Sequence, residues 1–406
     1  PAPAPSLVTG KEQCLFFQSG TAALAQALII AKSAFKTNAP EVIVPAYTCP
    51  DIISAAVYAG VTPVLVDLEA DRPYMSLPAI ENAITNNTIA IIAINFLGIP
   101  ERIAAIRTSL GNSGVIVIED SAQWFPDAST AAPDSEQAIS THYQGDMVVL
   151  SFGKGKPVSL MGGGALLIKQ PKRASLAEQI NTVEKTPSQE QSDKPTNTLT
   201  TSLLYMAYNM AISRYGYWLL ELLPGLKLGE THYTPLNTVD PMDNNRLLLL
   251  ASNRQRYQQR PLIAQQAIHQ MLTRNSPQQV TDLPEQCQTY QQQRLLRYPI
   301  LMPSASAKNH ALKALEQAGC GASPLYPTIL PNIAGVSEHL NTTPSLSSST
   351  KSASSTHSLS TNASSISSLE FKNATSFASR LITLPTHGAV TNHQLAIIEQ
   401  VLQRNG

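Results

Sequence analysis

The sequence predicts an α/β protein: a mostly parallel sheet flanked by helices, followed by a smaller C-terminal α+β domain. Three observations lead there. Apolar runs such as EVIV, IAIIAI and VIVI are continuous rather than alternating, as strands buried on both faces must be. Stretches with helical periodicity separate them, as parallel neighbours joined by crossovers require. At 406 residues the chain also exceeds what one simple core holds, so two domains are expected.

In order along the chain, TAALAQALIIAK reads as a helix opened by the polar SGT. EVIVPAY is a short β-branched strand, and the helical DIISAAVYAG after it stops at Gly60. TPVLVDL, LPAIENAIT, IAIIAIN and ERIAAIRTSLG continue as strand, helix, strand and helix, and GVIVIEDSA is a further strand. GDMVVLSFGKGKPVSLMGGGALLI then supplies two strands, MVVLSF and ALLI, around a loop bearing Lys154, Lys156 and three glycines. In such sheets ligands sit at the carboxyl ends of strands. That rule directs attention to the residues after EVIV, IAIIAIN and VIVI.

The large domain is expected over residues 10–235 and the small one over 240–406. In the latter, NNRLLLLASNRQRYQQRPLIAQQAIHQML reads as helical and QRLLRYPILMP as a strand. ALKALEQAG is a helix, and LITLPTHGAVTNHQLAIIEQVLQ is a strand, loop and final helix. A serine- and threonine-rich insertion at about 337–373 is too poor in apolar residues to offset its ordering entropy, so disorder is expected there.

Composition excludes several function classes. Lys+Arg and Asp+Glu both number 28, so no global basic field exists to hold nucleic acid or an anionic membrane. The four cysteines show no metal-ligand spacing or disulfide framework, which suits a reducing, cytoplasmic setting. PAPAPSLVTG lacks the basic and apolar regions of a signal peptide. In SLLYMAYNMAISRYGYWLLELLPGL, Asn209, Arg214 and Pro224 interrupt the apolar run before about 20 residues accumulate, so packed helices are expected rather than a membrane span.

An acid closing a buried strand needs explaining. Glu119 and Asp120 end VIVIED, where a turn or helix-cap role is the plain alternative. A pyridine-type cofactor requires a carboxylate at its ring nitrogen, a lysine amine for its aldehyde, and backbone N–H groups at a helix start for its phosphate. Asp120, a lysine of SFGKGK, and Ser19-Gly20-Thr21 ahead of a helix meet these needs.

Through SGTAAL, VIVPAYT, AGVTPVLVD, EDSAQ, the SF–lysine–glycine segment, SPLYPTILPNIAG and LITLPTHGAVT, the chain resembles the DegT/StrS-type nucleotide-sugar aminotransferases. That resemblance implies the seven-stranded fold type I of pyridoxal 5'-phosphate enzymes and transfer of an amino group, from L-glutamate in the first place, to a nucleotide-linked ketosugar. It implies a homodimer with shared active sites. It also implies that Ser19, Gly20, Thr21 and Ser151 hold the phosphate, that Asp120 meets the ring nitrogen, and that Gln123 meets the ring oxygen. The family spacing of Ser-Phe, three residues and Lys selects Lys156 as catalytic lysine; the wider fold's shorter spacing would select Lys154. Lys156 also keeps the family's distance to the glycines.

The chain departs from the family pattern at several points. Cys49 stands where an aromatic residue often stacks on the cofactor, with Tyr47 two residues earlier, and Asn95 replaces a common histidine. No glutamate precedes Gly163-Gly164, and the family's asparagine- and arginine-bearing midpoint loop has no clear counterpart, Asn237 being the candidate. Tyr47, Asn95, Tyr326 and His387 are the candidate substrate contacts, and no metal site is expected.

Overall fold

The computed structural model describes residues 13–126, 142–169, 231–274, 279–289, 293–340 and 370–406. Its first sheet is built from β1 (Gln13–Phe17), β2 (Glu41–Pro45), β3 (Thr62–Val66), β4 (Thr88–Ile94), β5 (Ile116–Asp120), β6 (Met147–Ser151) and β7 (Gly164–Ile168). They lie side by side in the order β1-β7-β6-β5-β4-β2-β3. Only β7 runs against its neighbours, pairing antiparallel with both β6 and β1. The strand at the β1 edge escapes the sequence reading because QCLFF is short, half-exposed and without a β-branched residue.

Burial on both faces accounts for the continuous apolar runs. Val42, Val44, Ile89, Ile92, Ile116 and Ile118 face α1 (Gly20–Ser33) and α2 (Asp51–Ala59). Their neighbours Ile43, Ile91 and Val117 face the other way, onto Ile80 of α3 (Leu77–Ala83) and Ile103 and Ile106 of α4 (Ile103–Leu110). Helix α1 buries Ala22, Ala23, Ala25, Ala27 and Ala31 against β7, β6 and β1. Small side chains bring its axis close to the sheet, and its amino terminus comes down on the start of β7.

A second, antiparallel sheet contains β8 (Thr281–Asp282), β9 (Arg297–Leu301) and β10 (Leu381–Pro385), in the order β10-β9-β8. The stretch 244–272, expected to be helical throughout, divides into α5 (Asn244–Leu247), α6 (Leu250–Gln258) and α7 (Ile263–Arg274). Pro261, which lacks a backbone N–H, lies in the break before α7. After α8 (Leu283–Gln286) come α9 (Ala305–Gln317), α10 (Lys372–Arg380) and α11 (Asn392–Asn405). Thr391 and Gln394 form a reciprocal capping box at the start of α11.

Packing on the first sheet continues past the expected change at residues 235–240. Gln18 N donates to Asp240 O at 2.9 Å, and Leu250 and Tyr257 join Val148, Leu150 and Phe152 in one apolar cluster. The edges of the serine-rich stretch also belong to the fold. Ser337–His339 forms a 3-10 turn and α10 begins at Lys372, so the disorder expected over 337–373 does not reach these flanks. Residues 341–369, and the apolar stretch at 202–226, lie outside the described residues. Among the described residues, no helix is long and apolar enough to cross a membrane.

The close approach of α1 to β7 tolerates nothing larger than glycine. A Cβ at Gly164 would sit 2.5 Å from Ser19 O and 2.6 Å from Gly20 N, both backbone atoms that have no side-chain freedom with which to yield. Gly164→Ala should therefore destabilise the protein by about 1–3 kcal/mol, read from the denaturant midpoint at unchanged m-value.

Candidate active site

The carboxyl ends of β2, β4, β5 and β6 and the start of α1 meet at one place. Asp120, the last residue of β5, is buried there, and its Oδ1 accepts the Ala122 backbone N–H at 2.9 Å. Burial pushes its carboxyl pKa up; the Ala122 N–H and the Lys156 ammonium pull it down, and the Asp51 carboxylate adds to the rise. Lys156 is half-buried, its backbone held by an N–H bond to Gly153 O at 3.3 Å, and its charge acts on both Asp120 and Cys49. Lys154 lies on the exposed side of the same loop. Of the two lysines, Lys156 is the one whose charge acts on Asp120 and Cys49.

Beside this pair is a small cradle. Ser19 caps α1, its hydroxyl accepting the Ala22 N–H at 3.0 Å, and Ser19 O accepts the Ala23 N–H at 3.1 Å. Ser151, at the end of β6, packs directly on Gly20: a Cβ there would lie 2.7 Å from Ser151 Cβ and 2.9 Å from its Oγ. The absent side chain at Gly20 thus leaves the Ser151 hydroxyl beside the first turn of α1, which carries Thr21. Helix starts of this kind offer N–H groups and a positive dipole end to anions.

Gln123 and Tyr326 form another wall. Gln123 Oε1 accepts the Leu97 N–H at 3.0 Å, and its Nε2 donates to the Tyr326 hydroxyl at 2.9 Å. Burial, Cys49, Tyr47, Asp120 and Asp51 all push the Tyr326 phenol up, so it stays protonated. Burial raises the Cys49 thiol to about 12; Asp51 adds to the rise and Lys156 opposes it. That thiol is a neutral, polarizable contact rather than a nucleophile.

The structure places the other three expected substrate contacts as follows. Tyr47 is buried, with its hydroxyl donating to Tyr326 O at 3.1 Å and its ring edge-on to Phe377 at 5.4 Å between centroids, so it braces the wall from behind. Asn95 is fully buried. Its Nδ2 donates to Glu119 Oε1 and Ser121 Oγ, both at 2.9 Å, and its Oδ1 accepts the Glu101 N–H at 3.0 Å. Both ends of its amide are engaged, and it stabilises Glu119. His387 is exposed on the loop after β10, among arginines rather than beside Asp120.

Two residues escaped the sequence reading. Asp51, in the first turn of α2, puts its charge on Cys49, Asp120 and Tyr326; its place directly after the PAYTC segment was the available signal. Arg246 of α5 lays its guanidinium over Gly162, in the space a side chain there would fill. Asn237 is exposed on the extended segment that runs to β1, apart from this contact.

With that geometry in place, the likeness to known proteins becomes specific. Residues 6–214 match the DegT/DnrJ/EryC1/StrS aminotransferase family. The chain belongs to that family. A curated relative, the UDP-N-acetyl-3-dehydro-alpha-D-glucosamine 3-aminotransferase of Acidithiobacillus ferrooxidans, is 34% identical over 151 residues, 37% of this chain and 39% of that protein. The matched part thus spans about two-fifths of that relative's length. A Streptococcus pneumoniae protein described as a sugar aminotransferase, solved in its PMP-form, superposes with a TM-score of 0.65 at 18% identity, covering 97% of this chain and 87% of that one. Helicobacter pylori PseC, an aminotransferase involved in the biosynthesis of pseudoaminic acid, gives a TM-score of 0.62 at 16% identity, with 97% and 86% covered. These structures share the fold: a large, mostly parallel sheet flanked by helices, with a second small antiparallel sheet.

Behind the site, Glu101 has a titration with a definite sign. Burial raises its carboxyl from an ordinary 4.5 to about 7, against the N–H bonds of Arg102 and Met75 and the charge of Arg102, which lower it. The folded form therefore holds its proton more tightly than the unfolded chain. Glu101 stabilises the fold fully below pH 4.5, and that contribution is lost as pH rises toward 7. Unfolding free energies measured from pH 4 to 8 should fall less steeply with pH in Glu101→Gln than in the parent protein.

Proposed function

We propose that the protein is a pyridoxal 5'-phosphate-dependent transaminase that moves an amino group from an amino acid, L-glutamate in the first place, to a nucleotide-linked ketosugar. The observation that carries this reading is the buried carboxylate of Asp120, within the influence of the Lys156 charge and beside the Gly20–Ser151 cradle. The residues present fit the cofactor. A side chain at Gly20 would fill the space where a phosphate would lie against Thr21 and the Ser151 hydroxyl, and Asp120 is a buried carboxylate whose nearby cation is the candidate lysine. Family membership and the name of the curated relative support the reaction class and the sugar.

When bound, the cofactor supplies an electron sink for the negative charge that develops at the substrate's α-carbon. Ser19, Gly20, Thr21 and Ser151 would hold its phosphate, Gln123 its ring oxygen, and Cys49 one face of the ring. Asp120 would keep a proton on the ring nitrogen. Lys156 Nζ would attach the cofactor between turnovers, take the α-proton of the amino acid as a base and return it as an acid. Arg246, a cation at the glycine loop, is suited to an anionic group of a substrate. Tyr326 would close the pocket. The polypeptide works as a homodimer in the cytoplasm, in polysaccharide or glycoconjugate biosynthesis.

Adding pyridoxal 5'-phosphate should give a visible absorbance band that L-glutamate abolishes as 2-oxoglutarate appears in equal amount. No band, or a band indifferent to every amino acid tried, would refute the reading. Borohydride followed by peptide mapping should find the cofactor on Lys156. Lys156→Ala should lose all turnover, whereas Lys154→Ala should keep most of it. Recovery of the label on Lys154 would shift the assignment to that residue.

Asp120→Asn preserves size but removes the charge that protonates the ring nitrogen. Cofactor should still bind, while α-proton removal slows at least ~10²-fold, a barrier increase of about 3 kcal/mol. Exchange of the glutamate α-deuteron in single turnovers measures that step. A near-parental rate would place the cofactor in another pocket.

A further inference from the structure

One buried amide holds the end of β5 from the side. Asn95, directly after β4, is fully buried, and its backbone N–H donates to Asp120 O at 2.9 Å. Its side chain reaches the residues on either side of Asp120: Nδ2 donates to Glu119 Oε1 and to Ser121 Oγ, both at 2.9 Å. A single asparagine thus contacts residues 119, 120 and 121, with Asp120 at their centre.

The other end of the amide fixes its orientation. The Glu101 backbone N–H can only donate, and it meets Asn95 Oδ1 at 3.0 Å, so Nδ2 must face β5. The acceptors are committed in turn. Glu119 Oε2 takes the Gln144 and Gly145 N–H groups at 2.7 and 2.8 Å, and the Ser121 hydroxyl donates to Trp124 O at 3.1 Å. Only a side-chain amide meets these demands, because it carries two N–H donors on one atom and an acceptor on the other. A carboxylate has no donor. An imidazole nitrogen, as in the histidine common at this place in the family, carries one N–H at most.

Asp120 itself has little to hold it. One backbone N–H, from Ala122, meets its carboxylate, and the charges acting on it are those of Lys156 and Asp51, opposite in effect. Its placement therefore depends on the residues beside it. Buried polar groups deprived of a partner are costly and drive rearrangement, and truncating Asn95 would orphan Glu119 Oε1 and the Glu101 N–H together.

We propose that Asn95 is a positioning residue for Asp120: by gripping Glu119 and Ser121 it fixes the carboxylate between them, and the consequence for turnover rests on the transaminase reading above. A misplacement of about 1 Å at a reacting group can cost ~10²-fold in rate.

Carbon-13 carboxyl NMR of the cofactor-free protein, with Asp120 assigned from the spectrum of Asp120→Asn, reads the grip directly. In Asn95→Ala the strand end loosens and water reaches Asp120, so its pKa should fall by about 0.5 unit or more. In the cofactor-loaded protein, exchange of the glutamate α-deuteron, expressed per bound cofactor, should slow at least ~10-fold. An asparagine with a purely structural role would lower the melting temperature and leave both quantities parental; either one unchanged in Asn95→Ala would overturn the inference. Ser121→Ala, a change small enough to preserve folding, removes one of the two contacts and leaves every charge in place. It should shift both quantities in the same direction by less, and no shift would likewise overturn the inference. A parent protein that fails the glutamate half-reaction would strike the transaminase reading instead, and the cofactor-free titration would still decide the grip.

Discussion

Two carboxylates at the end of one buried strand constrain everything around them. Glu119 and Asp120 emerge on opposite faces of β5 with almost no access to water. A buried charge persists only when it is paired or hydrogen-bonded. Glu119 meets that demand with structure: Asn95, and the backbone N–H groups of Gln144 and Gly145 at 2.7 and 2.8 Å. Asp120 has one backbone N–H bond, and the Lys156 charge pulls its raised carboxyl pKa part of the way back. The first acid fixes the strand ends, and the second keeps fewer hydrogen bonds.

Much of this was legible in the sequence, for identifiable reasons. Strands buried on both faces announce themselves as unbroken apolar runs, so β2, β4 and β5 were placed correctly; the half-exposed β1 carried no such mark. Asp120 and the Ser19–Thr21 turn stood out as candidates because each combines a chemical type with a position at a strand or helix end, and Lys156 because it lies in the loop between two buried strands. Asn95 and Tyr47 also stand near strand ends, but what their side chains touch could not be read there: Tyr47 meets Tyr326, far along the chain, and Asn95 meets Glu119, Ser121 and Glu101. Arg246 was hidden because its meaning lies in a contact with Gly162 and not in its own surroundings.

The cations near His387 show the complementary case. LPTH drew attention as a loop histidine, yet nothing in the sequence connects it to Arg260, which is more than a hundred residues earlier. The connection runs through shared carbonyls at Leu295 and Leu296. A fold that lays two arginines and a histidine around one backbone turn creates a local electrostatic feature even though the chain as a whole is neutral.

The bond between Tyr47 and the backbone at Tyr326 ties the two halves of the chain more closely than their separate sheets suggest. Tyr47 OH accepts the Tyr326 N–H at 3.3 Å while Gln123 donates to the Tyr326 hydroxyl, so one tyrosine is gripped at both ends by the amino-terminal half. The stretch that carries the family match ends at residue 214, well before this tyrosine. A fragment limited to that stretch would keep Asp120 and Lys156 but have an open side where Tyr326 belongs. The pocket is therefore a joint product of both halves, and neither could be exchanged between relatives as an independent module without bringing its side of that grip.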